Sequence, residues 1–182
     1  MRWNAIHKRI SDIKNPIGIE IGVYQGELSD KILSMNSSLT WIMVDSWSEN
    51  TYQGKSVDAV SEKFKEIYQK QGEQNYNDVT KLMMDKYFGR SQVIKLDSLN
   101  AAELYPSHSF DIVFIDAAHD YQSVIDDLIS WWRKVKPGGY ISGHDYGVEN
   151  FPGVKKAVDK FVGGKLERIE LDDDFSWFVK KI

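Results

Sequence analysis

A chain of 182 residues is long enough for one domain with a sizeable core and too short for two comfortable ones. At 42% hydrophobic and 27% charged, with no low-complexity tract, it has the composition of an ordinary soluble globular protein. The net charge of −4, with no Lys/Arg cluster beyond a solvated helix face, argues against a nucleic-acid groove, and the lack of Cys excludes disulfides, thiolate metal ligands and a Cys nucleophile. The opening "MRWNAIHKRISDIKN" has no apolar signal core and no run approaches a membrane span, so a cytoplasmic location is expected.

Apolar runs bounded by turn residues alternate along the chain with segments of helical period. "IGIEIGVYQG" (17–26) reads as a short buried strand entering a glycine turn, and "ELSDKILSMN" as a helix with Leu28, Ile32 and Leu33 on one face. "LTWIMVDSW" (39–47) is a second strand ending on Asp45. "SVDAVSEKFKEIYQKQG" and "NDVTKLMMDKYFG" read as two helices, so 46–90 is a long connection that could insert over a site. "SQVIKLDS" (91–98) is a third strand, "AAELYP" a short helix and "FDIVFID" a fourth strand. Tyr121 to Val135 is an amphipathic helix carrying Val124, Leu128 and Trp131 on one stripe, with acids toward its start and bases at its end, and "KPGG" stops it. "YISG" is a fifth strand, "PGVKKAVDKFVG" a helix, and "KLERIEL–DDD–FSWFVKKI" a closing hairpin whose Asp172-Asp173-Asp174 reads as a solvated turn.

Strands alternating with helices mean an α/β fold, a doubly wound, Rossmann-like and mostly parallel sheet with helices on both faces, here in a single domain spanning 1–182. In such sheets ligands bind at the carboxyl ends of the strands. Those ends carry Glu20, Gly22 and Gly26, then Asp45, then Asp97-Ser98, then Asp116. The first turn is not G-x-G-x-x-G, and Glu20 would repel a pyrophosphate but tolerate a ligand carrying a cationic amine and a sulfonium. Asp45 suits a ribose diol, because a carboxylate accepts two hydroxyl donors, and Asp97-Ser98 could meet an adenine edge.

With E-x-G-x-x-x-G, an Asp ending strand two, Asp-Ser ending strand three and "DIVFID", the chain resembles the class I S-adenosylmethionine-dependent methyltransferases. More narrowly, "FIDAAHDYQSVIDDL…VKPGGYISGHDY" is similar to a branch of small O-methyltransferases with D-x-x-H-x-Y and G-H-D-Y signatures, over roughly residues 15 to 180. The resemblance implies a seven-stranded sheet with a C-terminal antiparallel hairpin. It implies that Glu20, Gly22 and Gly26 hold the methionine part of S-adenosylmethionine, Asp45 the ribose and Asp97/Ser98 the adenine side, with Asp116 beside the sulfonium.

Asp116 ends the fourth strand and His144-Asp145 the fifth. Strands lie about 4.8 Å apart, so both ends can contact one ligand. Asp116, His144 and Asp145 suit a divalent ion such as Mg2+ or Mn2+, which would lower the pKa of a substrate hydroxyl. Metal-dependent relatives have Asp-Asp or Asp-Asn where this chain has His144-Asp145. His119 is a candidate general base, a metal ligand, or a residue that simply starts the next helix, and Asp116 and His144 complete the catalytic candidates. Trp47, Tyr52, Tyr146 and Phe151 could wall an acceptor pocket or pack loops onto the body. The expected reaction is O-methylation of a small-molecule or glycan hydroxyl. No nucleic-acid or membrane partner is expected, and a homo-oligomer is allowed. An NAD- or nucleotide-sugar enzyme, and a cofactor-binding module without turnover, are the alternatives on the same fold.

Overall fold

The computed structural model describes residues 1–48, 51–52, 55–56, 62–163 and 168–182. In chain order the elements are α1 (Arg2–Ile10), β1 (Ile17–Ile21), α2 (Glu27–Met35), β2 (Thr40–Asp45), β3 (Thr51–Tyr52), β4 (Lys55–Ser56), α3 (Glu62–Tyr87), β5 (Ser91–Lys95), α4 (Ser98–Ala102), β6 (Phe110–Ile115), α5 (Tyr121–Trp132), β7 (Val135–Gly143), α6 (Pro152–Phe161), β8 (Ile169–Leu171) and β9 (Trp177–Lys180). Seven strands form one sheet in the order β5-β2-β1-β6-β7-β9-β8, while β3 and β4 pair separately. The first five are parallel, and β9 and β8 close the edge antiparallel. Strand order reverses between β1 and β6, the position where such sheets open a crevice at their carboxyl edge.

The period of two along the central strands sorts side chains onto two cores. Ile19 and Ile21, Ile42 and Val44, and Val113 and Ile115 face α4, α5 and α6. Trp41, Met43, Ile112 and Phe114 face α1, α2 and α3. Trp41, Trp131, Trp177, Phe110 and Phe114 are fully enclosed, each a side chain whose burial contributes up to about 3 kcal/mol. Arg9 of α1 secures the last hairpin: its guanidinium lies 3.5 Å from the Phe178 ring centroid and pairs with Glu170 and Asp172 at 3.1 and 2.8 Å. Asp172 is therefore tied to α1 rather than left to solvent.

Several element boundaries differ from the sequence reading for local reasons. The two helices expected between 56 and 89 are one, α3, and the expected break at Gly72 is instead a point of close approach. A Cβ there would sit 2.2 Å from the Trp47 carbonyl oxygen, so the missing side chain lets the helix lie against that loop. Residues 57–61, where the first of the two was expected to begin, lie outside the described residues. The short helix begins at Ser98 rather than Ala101, because Asp97 caps it by accepting from the Asn100 N–H. The fifth strand starts at Val135 and runs through Pro137-Gly138-Gly139, with a register shift opposite Phe110–Ile112. Helix α1 was not expected at all, although Ala5, Ile6 and Ile10 give it a buried face.

Candidate functional site

The site grows from the turn after β1. Gly22 has φ +89°, and a Cβ on it would lie 2.2 Å from the Asp116 carbonyl oxygen, so only glycine allows this turn to touch the end of β6. Asp116 N–H donates to the Ile21 carbonyl at 2.7 Å, continuing the pairing one step past the strands. Beside this junction opens a cleft of about 290 Å³, whose lining includes Gly22, Asp45, Leu96, Ala117 and Asp127, at the small end for a ligand pocket.

Asp45 ends β2 in this cleft. One carboxylate oxygen accepts from the N–H groups of Val23 and Tyr24 at 2.8 and 2.9 Å, and the other from Trp47 N–H at 2.8 Å. Tyr24 and Trp47 both have left-handed backbones, at φ 54° and 42°. The carboxylate thus holds two strained loop residues in place, and two acceptor lone pairs per oxygen leave room for a further donor. Asp97 and Ser98 also line the cleft, yet both side chains have partners within the fold. Asp97 caps α4, and Ser98 Oγ donates to Asp127 while accepting from Trp131 Nε1 at 2.8 Å.

Glu20 and Gly26 stand outside the cleft lining. Glu20 is 3% exposed and accepts from Ser29 Oγ and from Trp41 Nε1 at 3.3 Å. Burial raises its pKa to about 8, the two hydrogen bonds offsetting only part of that. Gly26, φ +75°, meets Val79 of α3 and begins α2.

At the ends of β6 and β7 the four expected residues do meet. His119 Nε2 lies 2.9 Å from Asp145 Oδ2 and 3.8 Å from Asp116 Oδ1, and His144 Nδ1 lies 3.0 Å from Asp145 Oδ1. His119 Nε2 is enclosed and has no aligned hydrogen-bond partner, so its approach to Asp145 is a contact of charge rather than a directed bond. Burial opposes a charge on His119, but Asp116 and Asp145 outweigh it and lift its pKa to about 9. The same balance holds for Asp145: burial works against its charge, and His119 and His144 overcome it to hold the carboxyl well below the usual range. Asp145 adopts φ 64°, a left-handed turn that brings its carboxylate back toward both imidazoles.

Three further observations bear on what this cluster can do. Arg2, unforeseen from the sequence, reaches from α1 to Asp116 Oδ2 at 2.8 Å. Phe151 stacks on the His119 ring at 4.1 Å between centroids. Tyr146 donates to Asp159 at 2.6 Å, and Trp47 is buried against Tyr76 and donates to the Tyr24 carbonyl, so of the four aromatics Trp47 packs a loop. The Tyr52 side chain lies outside the described residues. One ligand atom each from Asp116, His144 and Asp145 lie within 4.8 Å of one another. Two carboxylates and an imidazole, beside an enclosed nitrogen without an aligned partner, fit a hard or borderline divalent cation.

A family model described as a methyltransferase domain matches residues 19–146. The chain belongs to this methyltransferase family. The match runs from β1 through the Asp145 turn and so includes both the cleft and the cluster. The O-methyltransferase NovP superposes with a TM-score of 0.67 at 21% identity, over 100% of this chain and 80% of that one. The TDP-rhamnose 3′-O-methyltransferase CalS11 does so with 0.60 at 13%, over 98% and 76%. An rRNA methylase from Streptococcus thermophilus gives 0.61 at 10%, over 98% and 95%. At these identities the likeness carries the fold alone, and a sugar nucleotide and an rRNA as acceptors on one backbone show why. An uncharacterized protein of Acanthamoeba polyphaga mimivirus is 43% identical over 56 residues, 30% of this chain. That match spans about a quarter of the relative's own length, 25%. Among the described residues no helix is long and apolar enough to cross a membrane.

Proposed function

We propose that this methyltransferase uses S-adenosylmethionine and methylates a hydroxyl of a small-molecule or sugar acceptor. The observation that carries the reading is the adjacency of two sites at one sheet edge. A cleft of about 290 Å³ holding Asp45 lies beside the cluster of Asp116, His119, His144 and Asp145 at the ends of β6 and β7, with Ala117 and Ala118 bordering both. The resemblance of the D-x-x-H-x-Y and G-H-D-Y stretches to small O-methyltransferases supports a hydroxyl as acceptor, and the O-methyltransferases NovP and CalS11 share the fold.

In this reading Asp45 accepts from the ribose hydroxyls, Asp97 and Ser98 border the base, and Gly22 lets the methionine part approach the backbone. The methyl group moves in line from sulfur to the acceptor oxygen. The S–C bond breaks with its electron pair left on sulfur, the O–C bond forms, and the hydroxyl proton passes to the imidazole–carboxylate cluster, whose His119 is free to accept it above its pKa of about 9. Arg2 balances the charge of Asp116, and Phe151 holds the His119 ring plane. Asp116, His144 and Asp145 would hold a divalent cation, which when bound supplies a Lewis acid for the acceptor oxygen. Calorimetric titration with S-adenosylmethionine and, in parallel, NAD+ tests the cofactor. Micromolar binding of the first alone is expected; binding of NAD+ alone would replace the reading with the NAD- or nucleotide-sugar-enzyme alternative. Turnover is then measured as S-adenosylhomocysteine formed with TDP-rhamnose and with catechol.

A further inference from the structure

Asp127 is a carboxyl that neither the fold nor the reaction above fully explains. It sits on α5 between Val124 and Trp131 of the buried stripe and is 5% exposed, yet it borders the cleft. Ser98 donates to its Oδ1, and Trp131 in turn holds Ser98. Its Oδ2 has no hydrogen-bond partner among the described residues. That oxygen is not among the enclosed atoms that lack a partner, so it is open to the cleft, where a ligand donor would be its complement. Burial lifts the pKa to about 7, and neighbouring Asp126, Asp120 and Asp97 add to the rise.

Its position along the sheet says which part of a ligand it meets. Strand order places β2, with Asp45, between β1 and β5. A cofactor with its ribose at Asp45 and its sulfonium at the β1–β6 junction therefore extends its base toward the β5 end, where Ser98 and Asp127 stand. Asp97 is the obvious acid there, but Asn100 takes both of its oxygens, through the main-chain N–H at 3.0 Å and the side-chain amide at 2.5 Å. We infer that Asp127, through the oxygen that Ser98 leaves free, reads the exocyclic amine of the cofactor's base and so selects adenine over a 6-oxo purine. Adenine presents a donor at that edge, and a 6-oxo purine presents an acceptor facing a carboxylate. A site built to receive a hydrogen bond rejects the analogue that cannot supply it.

The inference rests on the S-adenosylmethionine reading, and one experiment separates their failures. The full chain is titrated at pH 8 with S-adenosylhomocysteine and with S-inosylhomocysteine, as wild type and as Asp127→Asn. The wild type is expected to favour the adenosyl compound by about tenfold or more. Asp127→Asn keeps an acceptor for Ser98 and offers an amide N–H to the 6-oxo group, so the preference should fall below about threefold. An unchanged preference in a variant of unchanged thermal midpoint overturns the role of Asp127 while leaving the cofactor in place. Should Asp127→Asn not fold, Asp127→Ala removes the carboxylate and leaves a residue suited to the apolar stripe of α5. There a narrower preference supports the inference and an unaltered one overturns it. Binding of neither compound by the wild type removes the cofactor reading and this inference together.

Discussion

Replacing Glu20 with Gln tests the most perturbed carboxyl beneath the site. Glu20 is buried, and its pKa is about 8 against an ordinary 4.5. Between those two values the folded chain keeps the proton and the unfolded chain does not. The stabilisation is therefore complete below about pH 4.5, declines through the interval and is gone above about pH 8. At about 1.4 kcal/mol per pH unit, that interval sets a ceiling of about 5 kcal/mol, and relaxation of the surroundings lowers the realised value. Gln is neutral throughout and keeps an acceptor for Ser29 and Trp41. Urea unfolding from pH 5 to pH 9 should show the two proteins nearly equal at the acid end and the variant several kcal/mol more stable at the alkaline end. Parallel curves would refute the argument from burial. The same variant reports on function. Asp116 and Arg2 act on the charge of Glu20, so a cofactor ammonium placed among them would turn the neutral carboxyl into a carboxylate and expel close to one proton at pH 7. Binding enthalpies measured in buffers of different ionisation enthalpy should reveal that proton in the wild type and lose it in Glu20→Gln. An identical buffer dependence in both would remove Glu20 from the cofactor's surroundings.

Asp45→Ala should weaken S-adenosylhomocysteine binding by about 1.5–3 kcal/mol, the range for hydrogen bonds to a charged group. It should also lower the thermal midpoint, because Val23, Tyr24 and Trp47 lose their acceptor; unchanged affinity in calorimetry would take Asp45 out of the site. Gly22→Ala forces a side chain into a φ of +89° and against the Asp116 carbonyl, so a loss of more than about 2 kcal/mol in urea unfolding is expected. Mn2+ titrated into metal-stripped protein should bind with a stoichiometry near one, and Asp145→Asn should abolish the heat. Turnover that resists chelator and ignores added Mg2+ would leave the imidazoles and Arg2 to act without an ion.

The elements that form the edge of the site were legible because they depend on short-range order. Apolar runs at 17–21, 40–45 and 110–115, bounded by turn residues, set which residue ends each strand, and parallel pairing then aligns Asp45, Gly22, Asp116 and Asp145 on one edge. Helix limits were less legible where capping and close packing override composition, as at Asp97 and Gly72. A carboxylate inside an apolar stripe was the available signal for Asp127, since Val124, Leu128 and Trp131 were already recognised as one face.

What the sequence determined by itself was the fold class and the ring of strand-end carboxylates, because period and turn chemistry act over a few residues. What only the tertiary structure decided was how each of those groups is used. Arg2 meets Asp116 across 114 positions of chain. Glu20 turns under Trp41 and stays neutral, and Ser98 and Asp127 join two elements 29 positions apart. Such pairings follow from which helix face packs on which side of the sheet. That depends on the whole core closing at once, and no local pattern carries it.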